Sequence, residues 1–202
     1  MMVFNSWLEY TTGLKAIMEL SQGDDVYADA LDQIARHIAE CLAAGGRVGV
    51  AGNGGSAADA QHFAGELAAS FTKEREALDA ICLASNIAAI TAWVNDYDSD
   101  SVFARQVEAH LRSDDVLVLL STSGKSRNVL AAAEAASRKG LVVVAMTGAS
   151  TSACLDKHCD VVARVPSDLT PLVQDIHTPS YHYVCAQVER TLFPGSVDRY
   201  HA

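Results

Sequence analysis

One stretch of the sequence constrains the fold more than any other, because it combines an apolar run, a hydroxyl-rich loop and a helix-like segment. Residues 116–120 are all apolar, residues 121–126 read Ser-Thr-Ser-Gly-Lys-Ser, and residues 128–134 are typical of a helix. This order predicts a strand, a tight loop and a helix N-terminus, where free backbone N–H groups and the helix dipole attract anions. With the hydroxyls as further donors, the stretch predicts a phosphate-ester site. The simpler alternative is a polar loop that only caps the helix.

Four other apolar runs alternate with helix-like segments along the chain. Continuous apolar strands separated by helices are typical of a parallel sheet covered by helices on both faces. We therefore predict an α/β fold with a parallel five-stranded sheet flanked by helices. The predicted strands are residues 47–51, 80–83, 116–120, 141–146 and 160–165.

Helix-like segments also lie at both ends of the chain. Apolar residues at helical spacing predict helices over about residues 6–20 and 25–42 before the first strand, and over about 171–192 after the last one. Asp24 or Asp25 is suited to cap the second of these helices. Because no repeat, low-complexity tract or linker interrupts residues 1–202, we predict a single domain with added terminal helices.

The composition excludes several classes of partner. The formal net charge is -10, which argues against binding to nucleic acid or to anionic membranes. No apolar stretch approaches the eighteen residues of a membrane span, and the N-terminus does not resemble a signal peptide. The five cysteines form no Cys-x-x-Cys pair, and Cys154, His158 and Cys159 fit no common metal-site spacing. The five cysteines are interpreted as reduced thiols of a cytoplasmic protein.

A glycine-rich loop follows the first predicted strand. It reads Gly52-Asn53-Gly54-Gly55-Ser56, and because both loops follow strand ends, we expect them at the same edge of the sheet. Ala57 stands where a dinucleotide-binding loop has its third glycine, so the loop does not indicate a dinucleotide site. Its glycines instead allow the backbone to approach a small sugar closely.

Four polar residues are candidates for chemistry. His62 and Glu66 are four residues apart on a predicted helix and therefore share a face, which suits metal ligation or paired proton transfer. The alternative is an exposed histidine–glutamate pair without a function. Gln174 and His182 are eight residues apart on the last helix and could line one broad face. His177, on the same helix, is interpreted as structural.

Taken together, these motifs resemble the phosphoheptose isomerase family, which belongs to the wider sugar isomerase (SIS) superfamily. The resemblance spans roughly residues 25–193. It implies the flavodoxin-like three-layer sandwich of SIS domains. It rests on Gly52 to Phe63, Asn95-Asp96-Tyr97, Ser121 to Ser126, and Gln174-x-x-His177.

The resemblance implies an activity and the residues that perform it. Members of the family convert sedoheptulose 7-phosphate to D-glycero-D-manno-heptose 7-phosphate. Glu66 and His182 match the catalytic pair of the family. One zinc ion in each active site is implied by the match to family members that carry metal. The residues at the matching metal-binding positions are His62, Glu66, Gln174 and His182.

The resemblance also implies a substrate-binding set and an assembly. Family members are homotetramers in which the terminal helices, here about residues 1–45 and 171–193, form a central bundle. The hydroxyls of the loop at residues 121–126 are expected to hold the phosphate. The candidate substrate-binding residues are Asn53, Gly54, Gly55, Ser56, Asn95, Asp96, Ser121, Thr122, Ser123, Ser126 and Gln174.

Three positions depart from the family pattern. Ser70 stands near a position that is often basic, and Pro171 stands where an acidic residue often precedes the glutamine. Pro179 lies between His177 and His182, where it removes a helix hydrogen bond and is expected to kink the last helix. These departures leave open an isomerase of another sugar phosphate. A non-catalytic SIS protein, which senses sugar phosphate or regulates replication, would need only the hydroxyl loop.

Overall fold

The computed structural model describes residues 4–150 and 153–199 of the chain. Its five strands are all parallel and form one sheet in the order β2-β1-β3-β4-β5. The predicted α/β class and the five parallel strands are therefore confirmed. The strands are β1 (Val48–Gly52), β2 (Ala80–Cys82), β3 (Val116–Ser121), β4 (Val142–Thr147) and β5 (Val161–Arg164).

Helices cover both faces of this sheet. α2, α3 and α8 contribute to a core on one face, whereas α5 and α6 contribute to a second core on the other. The result is the predicted three-layer sandwich. The helices are α1 (Trp7–Gln22), α2 (Asp25–Ala43), α3 (Gly55–Ala68), α4 (Ile87–Asp96), α5 (Val102–His110), α6 (Arg127–Arg138), α7 (Ala153–Asp156) and α8 (Thr170–Leu192).

The central strand β3 shows why its sequence is apolar throughout. Successive side chains of a strand point to opposite faces of the sheet. Val116 and Val118 pack into the core beneath α2, α3 and α8, while Leu117 and Leu119 pack into the core beneath α5 and α6. Every residue of this strand is buried, so an alternation of polar and apolar residues would leave a polar group in one of the cores.

The order of the strands creates a crevice at one edge of the sheet. From β1 the chain proceeds to β2 on one side, and from β3 it proceeds to β4 on the other. Ligands of open parallel sheets bind at such a switch point, outside the carboxyl ends of the strands. Gly52, at the end of β1, must lack a side chain, because a Cβ there would lie 2.6 Å from Ser56 O and 2.8 Å from Leu120 O.

The predicted terminal helices are present and pack on one another. Ser6 caps α1, and Asp24 caps α2 by accepting hydrogen bonds from Val26 N and Tyr27 N. Tyr10 of α1 donates a hydrogen bond to Asp175 of α8, which ties the N-terminal helix to the last one. Pro179 lies inside α8 without ending it. The expected bundle of several subunits stays a prediction.

One local detail is absent from the sequence prediction, the short helix α7, because four residues are too few to show a helical period. Asn95 and Asp96 form the last turn of α4, which extends through Asp96. Within the described residues, no helix combines the length and the apolar character needed to cross a membrane.

Candidate active site

The hydroxyl loop lines a cavity at the carboxyl ends of β1 and β3. This cavity has a volume of about 280 Å³. The glycine-rich loop forms its opposite wall, and Gln174 of α8 closes it against Gly55, where a Cβ would lie 2.5 Å from Gln174 Nε2. The lining residues predicted from the sequence are Asn53, Gly54, Gly55, Ser56, Ser121, Thr122, Ser126 and Gln174.

The hydroxyls of this loop are arranged so that their hydrogens remain available. Ser121 Oγ accepts from Gly124 N at 3.2 Å, and Ser123 Oγ accepts from Lys125 N at 3.2 Å. A hydroxyl that accepts from the backbone still has its own O–H to donate. Ser126 precedes α6, yet its side chain makes no capping hydrogen bond. These donors suit a phosphate group at the N-terminus of a helix.

Ser123 lies in a second cavity rather than in the first. This neighbouring cavity has a volume of about 320 Å³ and is also lined by Lys125, Ser150 and Asp168. Hydrogen bonds from Ser150 lower the pKa of Asp168, and Lys125 lowers it further. The two cavities share Thr122 and Thr170, so the loop presents hydroxyls on both of its sides.

Asn53 connects the two loops instead of pointing freely at a ligand. Its amide exchanges two hydrogen bonds of 2.9 Å with the amide of Asn128, the second residue of α6. Gly54 has a φ of 56°, a conformation that residues with a side chain rarely adopt. The Asn53–Asn128 pair therefore attaches the glycine-rich loop to the first turn of α6, directly after the hydroxyl loop.

The second part of the site is a cluster of three side chains. His62 Nε2 lies 2.9 Å from Glu66 Oε1 and 3.4 Å from His182 Nε2. Across these three residues, the candidate ligand atoms all lie within 4.8 Å of one another. The structure thus brings together His62 and Glu66 of α3 with His182 of α8. His62 and Glu66 lie one helical turn apart on α3, and His182 comes from the neighbouring helix α8.

Neighbouring groups set the properties of His182. Burial lowers the pKa of His182, and His62 lowers it further, while Glu66 acts in the opposite direction. The ring of Phe71 stacks on the imidazole of His182, with centroids 5.1 Å apart. A histidine with a lowered pKa is neutral near pH 7, so it can accept a proton there.

A buried carboxylate fixes the segment that carries Phe71. Glu189 of α8 accepts hydrogen bonds from the backbone N–H groups of Phe71, Thr72 and Lys73, and its carboxylate lies 2.7 Å from Arg75 Nε. The side chains of Arg75 and Glu189 are both 0% exposed. Arg75 also donates to the backbone carbonyl of Glu66 at 2.8 Å. This ion pair therefore connects α8, the Phe71 segment and the helix that carries Glu66.

Several of these residues were not recognised in the sequence. Phe71 and Arg75 lie more than a hundred residues before Glu189 and match no motif, so their pairing with Glu189 becomes visible only in three dimensions. Asp59, one helical turn before His62, is half-buried, and burial raises its pKa. Its spacing from His62 was the one available signal.

Other predicted residues have their recorded contacts outside the cluster. Gln174 contacts Gly55, at the start of α3 and about two helical turns before His62. Asp96 lines a different cavity of about 310 Å³ beside Trp93 and Tyr97, and Asn95 donates to Asp96 at 2.8 Å. The substrate-binding roles of Asn95 and Asp96 stay predictions.

Ser70, which stands near a position that is often basic in the family, is contacted by a basic residue from the C-terminal segment. Arg199 donates to Ser70 Oγ at 2.6 Å, and its backbone N–H donates to Thr72 O. Lys73 and Asp198 form an antiparallel bridge beside this contact. The C-terminal segment is thereby attached to the residues that carry Phe71.

The donor set of the cluster fits zinc. Two imidazole nitrogens and one carboxylate oxygen are typical zinc ligands, and three protein ligands are typical of a catalytic zinc. His62 also has a partner for its second nitrogen, because the Tyr181 hydroxyl lies 2.8 Å from His62 Nδ1. Zinc-binding histidines characteristically have such a partner. Gln174 as a fourth ligand stays a prediction.

Comparison with known proteins defines the class first. The family model of the SIS domain matches residues 9–148. A parallel α/β sandwich with a hydroxyl-lined crevice agrees with this match. The chain is therefore a SIS-domain protein.

The chain is similar in sequence to several phosphoheptose isomerases. The chain is 48% identical to the phosphoheptose isomerase of Rhodospirillum rubrum, over 82% of this chain and 87% of the relative. It is 44% identical to that of Crocosphaera subtropica, over 83% of this chain and 85% of the relative. The chain belongs to the phosphoheptose isomerase family and is a sugar-phosphate isomerase.

Solved structures agree with this assignment. The phosphoheptose isomerase of Francisella tularensis superposes with a TM-score of 0.86 at 35% identity, covering 94% of this chain and 100% of that one. The phosphoheptose isomerase of Neisseria gonorrhoeae gives a TM-score of 0.81 at 34% identity, covering 89% of this chain and 95% of that one. The SIS fold expected from the sequence is confirmed.

Proposed function

We propose that this chain converts sedoheptulose 7-phosphate to D-glycero-D-manno-heptose 7-phosphate through an enediol. The observation that carries the proposal is the close approach of His62, Glu66 and His182, whose candidate ligand atoms lie within 4.8 Å of one another. A SIS protein that only binds sugar phosphate needs the hydroxyl loop but has no need of this cluster. The cluster provides what isomerisation requires, which is a base and a second proton carrier in one place.

Glu66 is the proposed base. In the conversion of a ketose to an aldose, a base removes a proton from C1, the electron pair forms the C1–C2 double bond of the enediol, and the carbonyl oxygen is protonated. The same base then returns a proton to C2 while the C1 hydroxyl loses its proton. His62 Nε2 lies 2.9 Å from Glu66 Oε1, so it orients the carboxylate.

His182 is the proposed carrier for the protons on oxygen. Its lowered pKa keeps it neutral near pH 7, and its Nε2 is 3.4 Å from that of His62. A neutral imidazole has one N–H to donate and one nitrogen to accept, so it can give a proton to one oxygen and take one from the other. Phe71 holds the ring in place by stacking.

The hydroxyl loop is the proposed phosphate site. Ser121, Thr122 and Ser126 line the cavity next to Gln174, and Ser123 presents its hydroxyl on the other side of the same loop. The dipole of α6 and the backbone N–H groups favour the negative charge. The phosphate would fix the far end of the sugar, leaving C1 and C2 for the cluster.

Zinc is the proposed metal, with His62, Glu66, Gln174 and His182 as the residues that would hold it. When bound, zinc supplies a Lewis acid that polarises a carbonyl. Glu66 has two competing roles, because a carboxylate that binds zinc tightly is a weaker base. The two roles are zinc ligand and base, and the hydrogen bond between His62 and Glu66 orients the carboxylate for its role as a base.

A homotetramer in the cytoplasm is the proposed state of the protein. α1, α2 and α8 border an open groove of about 440 Å³ that is lined by apolar residues such as Met18, Leu31 and Ile176, and the α1 residues Trp7 and Leu8 are 79% and 74% exposed. Apolar helix faces of this kind favour burial by other subunits. Cys41, Cys82 and Cys185 are buried as ordinary small side chains, which agrees with a reducing compartment.

Proton exchange provides the test of this function. Purified protein is incubated with sedoheptulose 7-phosphate in D2O, and the products are followed by NMR beside Glu66→Gln. We expect deuterium at C2 of a new aldose phosphate, and its loss in the variant. If folded protein gives neither exchange nor aldose, with and without added zinc, the proposed reaction is wrong.

A further inference from the structure

Tyr181 makes a contact that the mechanism above does not use. Its hydroxyl lies 2.8 Å from His62 Nδ1, the nitrogen that faces away from Glu66 and His182. Tyr181 is 1% exposed, and its ring stacks on the buried ring of Phe63 with centroids 5.4 Å apart and planes 16° apart. The position of the hydroxyl is therefore fixed by core packing, whereas the side chain of His62 is 47% exposed.

The hydrogen bonds of His62 define its tautomer. An ionised carboxylate only accepts hydrogen bonds, so the 2.9 Å contact with Glu66 places a hydrogen on Nε2 of a neutral His62. Nδ1 is then an acceptor, and the Tyr181 hydroxyl donates to it. The opposite tautomer, with a free lone pair on Nε2, requires an acceptor for the Nδ1 hydrogen. A tyrosine hydroxyl can serve either arrangement, because it both donates and accepts.

We propose that Tyr181 is a positioning residue that holds the ring of His62 and allows its tautomer to reverse without movement of the ring. In the reversal one proton leaves Nε2 for water and one from water binds Nδ1, so His62 stays neutral. The Tyr181 O–H turns away and its oxygen accepts from Nδ1. Nε2 is then free to bind zinc. This inference rests on the metal-binding role proposed for His62.

The chain offers a matched control for this contact. Tyr183 lies on the same helix, is 40% exposed, and donates its hydroxyl to Asp32 at 2.6 Å. Tyr181→Phe and Tyr183→Phe each remove one hydroxyl and keep the ring. Only the first removes the partner of His62, so a difference between the two variants reports on that contact.

The test measures zinc affinity by competition with a chromophoric chelator. Loss of a hydrogen-bond partner of a metal-binding histidine typically weakens metal binding by about 10- to 100-fold, and we expect this loss for Tyr181→Phe. Tyr183→Phe should bind zinc as wild type does. In parallel, 15N NMR of the neutral imidazole should show the hydrogen of His62 on Nε2 without zinc and on Nδ1 with zinc, with His62→Gln identifying the signal.

The outcomes separate this inference from the proposed reaction. Folded Tyr181→Phe with the zinc affinity of wild type would overturn the inference, as would a wild-type protein that binds no zinc at this cluster. A purely structural role would lower the melting temperature of the metal-free variant and leave the affinity unchanged. If the wild-type protein fails to isomerise the sugar but Tyr181→Phe binds zinc more weakly than wild type does, the proposed reaction is wrong and the inference holds.

Discussion

The two halves of the site are built in different ways. The hydroxyl loop of the phosphate end is one continuous stretch of sequence, in which Ser121 Oγ and Ser123 Oγ accept hydrogen bonds from backbone N–H groups two or three residues further on. The proton-transfer end joins two helices that are more than a hundred residues apart, with His62 on one and His182 on the other. One half is therefore specified by local sequence, and the other by the packing of the whole domain.

This difference has a consequence for the function of each half. A loop organised by its own backbone is in place before a ligand arrives, so its contribution should appear as binding. A cluster that depends on Glu189, Phe71 and Tyr181 should be sensitive to changes some distance away, and its contribution should appear as chemistry.

The largest effect is expected from Glu66→Gln. The amide keeps the size of the side chain but cannot accept the carbon-bound proton, so kcat should fall by about 10²- to 10⁴-fold while KM changes little. Steady-state kinetics with the phosphorylated ketose gives both constants. A variant with a large increase in KM and an unchanged kcat would assign Glu66 to binding and contradict the division.

The phosphate end was predictable because its residues are neighbours in the sequence. The run of residues 121–126, the strand before it and the helix after it are enough to define an anion site, and the glycine-rich loop follows its own strand in the same way. The sheet was predictable for a related reason, since buried parallel strands such as β3 are continuous apolar runs.

The proton-transfer end was only partly predictable. The spacing of His62 and Glu66 indicates a shared helix face, but nothing in that spacing indicates Tyr181, 119 residues away, as the partner of His62. Phe71 and Glu189 likewise belong to no motif. The resemblance to a family supplied His182, whereas the groups that orient the cluster result from long-range packing that local patterns do not encode.

A strong effect on stability is expected from Glu189→Gln. The carboxylate lies 2.7 Å from Arg75 Nε, and both side chains are fully buried. Removing one partner leaves an unpaired buried charge, so the free energy of unfolding should fall by about 3–5 kcal/mol. Urea denaturation at pH 7 measures the change, and Glu134→Gln, which affects an exposed ion pair, is the control.

The pH dependence of the same pair has a defined sign. Burial raises the pKa of Glu189, but hydrogen bonds from Phe71, Thr72 and Arg75 outweigh it and leave the pKa below its ordinary value. The contribution of the Glu189 carboxylate to the free energy of unfolding is present above the pKa that this group has in the unfolded chain. It is lost as the pH falls through the pKa of the folded state. Glu189→Gln should therefore cost less stability under acidic conditions than at pH 7, and an equal cost at both would contradict this account.

An intermediate effect is expected from His177, which is fully buried on α8. Burial lowers the pKa of His177 to about 4. Between pH 6.5 and 4 the unfolded chain binds a proton here that the folded chain does not, so stability falls as the pH is lowered, by up to about 3 kcal/mol. His177→Leu should flatten the fall in the free energy of unfolding over this range. An unchanged slope would exclude His177 as its source.

The smallest effect, and the most direct test of the division, is expected from Ser126→Ala. Ser126 lines the phosphate cavity but makes no capping hydrogen bond to α6, so its loss should leave the free energy of unfolding nearly unchanged. Loss of one hydrogen bond to a charged ligand is worth about 1.5–3 kcal/mol, so KM should rise by about 10-fold or more with kcat nearly constant. The affinity for inorganic phosphate, measured as a competitive inhibitor, should fall in parallel. If kcat falls instead, the loop takes part in the chemistry, and the two halves of the site are coupled more closely than their construction indicates.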